Sequence, residues 1–283
     1  MTTRKQLIMY GSTVFLISWV LQILAITTTG DVNSAQARPW LAATMLAPTL
    51  VTIFFLIKNK SWKTYLLWRP NARILQVCLL AVIVPTLTAF LILIMVQKFG
   101  YGKSNWFSFT STGVDISGGP FLLGVGKQHW ITFIFNILIT GIVYSIINGM
   151  VAAGEEFAWR GFFQQTLMEK FGKLKGIALL GFIWSMWHLP VQLAGYNFLG
   201  YEIIGSFVLS PLQMIGASFF FGWLTLSTKS FIPAAIAHGA VNSIQEGIIS
   251  NIQLEVPMIY QHWIRTAVIV FIGLLFFLLL RKK

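Results

Sequence analysis

Eight apolar runs dominate the chain, at 7–26, 41–57, 74–96, 131–153, 176–194, 203–226, 231–249 and 264–280. A helical crossing of the bilayer core takes about 20 mostly apolar residues, with a range of about 17–25. Within lipid, a helix is the simplest segment that satisfies all of its own backbone donors and acceptors. The runs therefore predict an all-α polytopic membrane bundle of about eight transmembrane helices. Composition agrees, with 56% hydrophobic and only 10% charged residues, against about 25% charged in soluble domains. A soluble globular enzyme is excluded on these grounds. Disorder is excluded too, since it needs low hydrophobicity and high charge.

The basic excess, 20 Lys+Arg against 8 Asp+Glu for a net charge of +12, does not indicate nucleic acid. The cations sit between apolar runs, where they anchor loops on the cytoplasmic side. With the N-terminus inside, Arg4, Lys5, Lys58, Lys60, Lys63, Arg69, Arg73, Arg160, Lys170, Lys173, Lys175, Lys229, Arg281, Lys282 and Lys283 are cytoplasmic. Only Arg38, Lys98, Lys103, Lys127 and Arg265 face the other side. This asymmetry places both termini in the cytoplasm, as an even number of crossings requires. The expected setting is a plasma or cell membrane, and the expected partner besides substrate is the bilayer.

The first run is longer than the usual signal-peptide core of about 7–15 residues. It reads as a retained span despite Arg4 and Lys5 before it and Ala35-Gln36-Ala37 after it. Cys78 is the one cysteine, which excludes a disulfide framework and a Cys-based zinc site. The basic loop 58–73, with Trp62, Tyr65 and Trp68, suits the surface of an anionic leaflet. The long loop 97–130 holds seven glycines and shows no periodicity; a short re-entrant piece near Pro120–Val125 is one reading of it. Residues 161–175 carry apolar side chains at 162, 163, 167, 168, 171 and 174, the spacing of an interfacial amphipathic helix. Neither a repeat nor a domain boundary is visible. The expectation is one membrane-embedded domain, 1–283, with its chemistry in about 131–249.

Ionisable residues at membrane depth are costly and mark functional sites by default. The first cluster is Gly154-Glu155-Glu156-Phe157-Ala158-Trp159-Arg160-Gly161. Glu156 and Arg160 stand at i,i+4 in the favourable order for an ion pair. Glu155 points about 100° away, so Arg160 does not serve both carboxylates equally. Glu155 is then available as a base. The second cluster is Trp184-Ser185-Met186-Trp187-His188-Leu189-Pro190, where Pro190 frees a carbonyl near residue 186. The third is His238-Gly239-Ala240-Val241-Asn242, with His238 and Asn242 at i,i+4. Gly239, Ala234, Ala235, Ala237 and Ala240 allow close helix approach there. Each cluster has a plain structural reading: a solvated helix end, a backbone-bonded histidine, and hydrogen-bonded helix contacts. Together they supply a base, two imidazoles and an amide, which suits water activation with oxyanion stabilisation.

The order Glu-Glu-x-x-x-Arg, aromatic-x-x-x-His, His-x-x-x-Asn on successive helices resembles the CPBP family. These are CAAX-type prenyl-protein proteases, bacteriocin-processing enzymes and abortive-infection-like proteins. Glu155-Glu156…Arg160, Trp184…His188 and His238…Asn242 carry the resemblance, which covers about the C-terminal half. Trp184 stands where many members have phenylalanine. The resemblance implies an intramembrane endopeptidase acting on a membrane-associated or lipid-modified peptide or protein. It implies Glu155 and His188 as water-activating residues and His238 and Asn242 as oxyanion donors. Glu156, Arg160 and Trp184 then support the site. It leaves metal use open. No HExxH is present, yet Glu155, His188 and His238 are candidate ligands for a divalent metal such as zinc. The metal-free mechanism is favoured.

Two further readings compete. Buried Glu, His and Arg also build transporters and ion pathways, although the repeats common there are missing. A non-proteolytic immunity or assembly factor of the same family is the other. One feature conflicts with a single site. From the run limits, Glu155 lies at a span edge, while His188 is about 18 Å and His238 about 10 Å deep at 1.5 Å per residue. Either the fourth helix runs past residue 160 or the fifth begins outside the membrane.

Overall fold

The computed structural model describes residues 4–62 and 71–282. Tyr65 and Trp68 of the aromatic basic loop lie outside the described residues. The chain is an all-α polytopic integral membrane protein. Among the described residues, six helices are long and apolar enough to cross a membrane by length and composition: Lys5–Thr29, Ala35–Lys58, Ile74–Lys98, Trp130–Phe171, Glu202–Thr228 and Ile259–Arg281. The other two expected runs are helical but segmented. Run 176–194 falls on α6 (Lys173–Trp187, 15 residues), a break at His188, and α7 (Leu189–Leu193). Run 231–249 folds as α9 (Ile232–Ala240), a π-turn (Val241–Gln245) and α10 (Glu246–Ser250).

Two compact units share the chain. The first comprises residues 1–70, 153–232 and 269–283. Its elements are α1 (Arg4–Thr29), α2 (Arg38–Lys58), α5 (Gln164–Phe171), α6, α7, α8 (Ser210–Thr228) and the end of α11 (Ile259–Arg281). Lipid tails are as apolar as leucine, so helices associate there through close packing and polar contacts. Gly181 is one such contact: a Cβ on it would meet Ile215 Cα of α8 at 2.6 Å. Gly176 is another, with Met168 N of α5 at 2.7 Å. Tyr10 joins α1 to α2 by a hydrogen bond between its hydroxyl and Thr52 Oγ1, 2.7 Å. The rings of Phe55, Phe162 and Phe163 surround it at centroid distances of 5.4, 5.1 and 4.8 Å.

The second unit comprises residues 71–152 and 233–268. It holds α3 (Ile74–Lys98), most of α4 (Trp130–Ala158), α9, α10 and the first turns of α11. Here the glycine-rich loop 97–130 is more ordered than its sequence suggests. Strands β2 (Phe107–Phe109), β3 (Gly113–Ile116) and β4 (Gly126–His129) form an antiparallel sheet in that order. Strand β1 (Gly102–Ser104) pairs antiparallel with β5 (Ile252–Leu254), Lys103 opposite Gln253. Strands of three or four residues are too short to show an alternating pattern. The Pro120–Val125 piece contains a 3₁₀ turn, Phe121–Leu123.

The fourth span corrects the expected limit of residue 153. After α4 the chain continues through a π-turn (Trp159–Phe163) into α5, one helical run of 42 residues, Trp130–Phe171. Charged side chains normally mark the edge of a span. The helix nevertheless continues through Glu155, Glu156 and Arg160, which are buried in the first unit. In the segment 161–175, Phe162, Phe163 and Leu167 are buried in the first unit. The apolar periodicity ends at Gly172, whose φ of +82° closes α5 and starts α6.

Candidate active site

In the first unit, Glu155, Glu156, Arg160 and Trp184 are all buried. Arg160 Nη1 donates to Glu156 Oε1 at 3.1 Å, and Oε2 lies equally close. Its Nη2 donates to Ser218 Oγ of α8 at 3.1 Å. The guanidinium also lies over two aromatic faces, 4.3 Å from the Trp184 centroid and 5.1 Å from Phe221. A buried cation is tolerable when it is paired and hydrogen-bonded on several sides.

Glu155 has a different environment. Trp184 Nε1 donates to its Oε2 at 3.0 Å. An indole N–H fixes a carboxylate without neutralising it. The same tryptophan holds the histidine one turn on: His188 Nδ1 lies 2.9 Å from the Trp184 carbonyl. A carbonyl only accepts, so Nδ1 carries a proton, and in the neutral ring the lone pair is then on Nε2. Trp184 therefore holds Glu155 with its side chain, His188 with its backbone and Arg160 with its ring face. The depth conflict within this unit also disappears. The fourth helix runs past residue 160, and the C-terminal end of α6 is level with Glu155.

Sequence reasoning did not single out Ser218 or Phe221. Both sit in the apolar pattern of α8, and the only local signal is a lone serine before three phenylalanines.

In the second unit, α9 lies tight against α4. A Cβ on Gly239 would collide with the backbone of Ser145 and Gly149, and one on Gly149 would meet the Ala235 carbonyl at 3.1 Å. Ala234, Ala237 and Ala240 are fully buried. His238 is buried on this helix, whereas Asn242 is exposed. Between them the helix enters the π-turn, Val241–Gln245. Ser243 Oγ, inside this turn, donates to the Gly239 carbonyl at 2.6 Å. A cavity of about 240 Å³ adjoins this turn, lined by Trp106, Pro120, Tyr144, Asn148, Ser243, Ile244 and Gly247.

Two of the three motif-bearing helices thus carry a π-turn directly at the motif. Such turns are rare and frequent at functional sites. Within neither unit, among the described residues, do three or more His, Cys, Asp or Glu side chains gather closely enough to hold a metal ion.

Residues 127–244 match the family model described as Type II CAAX prenyl endopeptidase Rce1-like. Over 214 residues the chain is 25% identical to the CAAX prenyl protease 2 of Methanococcus maripaludis, spanning 71% of this chain and 69% of that protein.

Proposed function

Taking as premise that these two likenesses support a CPBP/CAAX protease family and indicate a protease, we propose that the chain is an intramembrane endopeptidase in which Glu155 activates water. The observation that carries this reading is the division between adjacent carboxylates. Glu156 pairs directly with the guanidinium of Arg160, while Glu155 accepts the indole N–H of Trp184. One glutamate is thereby engaged in a direct ion pair, and the other is held by Trp184 in position to act as the base.

In the proposed reaction Glu155 takes a proton from water, and the hydroxide attacks the carbonyl carbon of the scissile amide. The electron pair moves onto the carbonyl oxygen, whose negative charge His238 and Asn242 stabilise as hydrogen-bond donors. Collapse of the tetrahedral intermediate expels the amine, which receives the proton held on Glu155. His188 assists by accepting a hydrogen bond from the water at Nε2. Effective bases and oxyanion donors act by being fixed before the charge develops. No step of this proposal is routed through a metal.

The substrate is a membrane-associated protein. The names of the matched family model and of the relative support a prenylated, CAAX-type C-terminus. Runs 176–194 and 231–249 are proposed to cross the membrane as segmented helices, giving eight crossings with both termini cytoplasmic. Reporters fused at residue 115 and at the C-terminus should report opposite sides, and a same-side result overturns this topology.

The central test uses purified protein and a prenylated CAAX peptide. Glu155→Gln keeps the shape and removes the base, and should lower turnover by about 10²–10⁴-fold with the fold intact. Full activity in this variant removes Glu155 from the mechanism. Loss of wild-type cleavage on chelation, restored by added zinc, replaces it with a metal-dependent one.

A further inference from the structure

Between Trp187 and Val191 the helix ladder is open. In a continuous helix the Val191 N–H donates to the Trp187 carbonyl. Here α6 ends at Trp187, and His188 takes φ −83° and ψ −2° before α7 begins with Pro190 in its first turn. A residue with these angles lies in the sparsely populated bridge region, where active-site residues are common. The break leaves one donor and one acceptor facing each other across His188.

Gln22 of α1 fills that gap. Its Nε2 donates to the Trp187 carbonyl at 2.8 Å, and its Oε1 accepts from Val191 N at 3.4 Å. Trp19 Nε1 adds a second donor to the same carbonyl at 3.2 Å. Gln22 is buried, in a helix otherwise rich in apolar residues. A primary amide has one donor end and one acceptor end, so it replaces a missing backbone bond without leaving a buried polar group unmet. Neither methionine nor leucine would do this, and an ionised glutamate lacks the donor.

We propose that Gln22 is a positioning residue for His188. It keeps the α6–α7 break open by standing in for the Val191–Trp187 bond, and thereby sets the direction of the imidazole. The position lies outside the matched residues 127–244, and the proposal makes the helix carrying it part of the working site. The inference rests on the reading of His188 as an assisting residue.

The test is Gln22→Met, which keeps length and bulk but makes neither bond. Misplacing a reacting group by about 1 Å can cost about 10²-fold. The variant should fold, lose about 10-fold or more in turnover, and keep KM within about 2-fold. Hydrogen exchange of residues 188–194 should accelerate, while that of α8 stays as in the wild type. Exchange unchanged, or exchange accelerated with turnover unchanged, overturns the proposal. Gln22→Glu serves if the methionine variant does not fold, and is read by the same two measurements. The exchange arm does not depend on cleavage. If His188→Ala keeps full activity, the reading of His188 fails, while exchange in the Gln22 variants still reports what holds the break.

Discussion

The turn at Glu155–Arg160 and the turn at His238–Asn242 are both helical segments ending in a π-turn, yet they are held by opposite means. In the first, side chains do the holding: an ion pair, a serine hydroxyl, an indole N–H and two ring faces converge on three charged groups. In the second, the holding is done by missing side chains. Gly239 and Gly149 bring the α9 and α4 backbones together, and buried alanines fill the seam. Charges in a poor dielectric need dedicated partners. A histidine and an amide need only a rigid helix beneath them.

The largest effect should come from breaking the charge-held turn. Arg160→Ala leaves Glu156 charged and buried, and removal of one partner from such a pair typically costs about 3–5 kcal/mol. Folded yield and thermal midpoint should both fall, and Glu156→Gln should show a smaller loss of the same kind. If Arg160→Ala melts as the wild type does, side-chain holding is not what stabilises this turn.

Next comes Asn242. Its side chain is exposed, so Asn242→Ala should change stability by no more than about 0.5 kcal/mol, as surface substitutions do. Turnover should drop about 10²–10³-fold with little change in KM, as for loss of one oxyanion donor. Asn242→Asp should be worse, since a carboxylate repels the developing charge. An active, chelator-sensitive Asp variant would instead mark position 242 as a metal ligand.

The smallest effect tests the close approach. Gly239→Ala puts a methyl group into the Ser145 and Gly149 backbone, where overpacking costs about 1–3 kcal/mol. Alanine's better helix propensity offsets up to about 1 kcal/mol of that. A net loss of stability is expected, and a stabilised variant would show that the contact is loose.

Much of this was legible in the chain. The i,i+4 spacing of Glu156 and Arg160 anticipates their contact, and the run of small residues around Gly239 anticipates the tight crossing. What was not legible is non-local or subtle. Glu155 finds its donor 29 residues away in Trp184, and Gln22 meets the α6–α7 break at a separation of 165 residues. No local pattern records either meeting. The expected limit of residue 153 falls short of the helix end because charges usually mark a membrane edge, whereas here they are buried within the first unit. The small sheets in 97–130 escaped notice because their strands are shorter than one alternation cycle can establish.

The π-turn at Trp159–Phe163 has a consequence for how chain length is conserved. A π-turn is an α-helix holding one residue more than its ladder needs. A homologous chain one residue shorter here can close the ladder and keep Glu155 and Arg160 in place. Everything from Gln164 onward then rotates by about 100°, and Leu167 leaves its buried position. A single-residue gap placed by alignment at this point is therefore not a neutral slip in a loop. It is a change of helix face, and it separates chains that share the carboxylate motif but not the packing behind it.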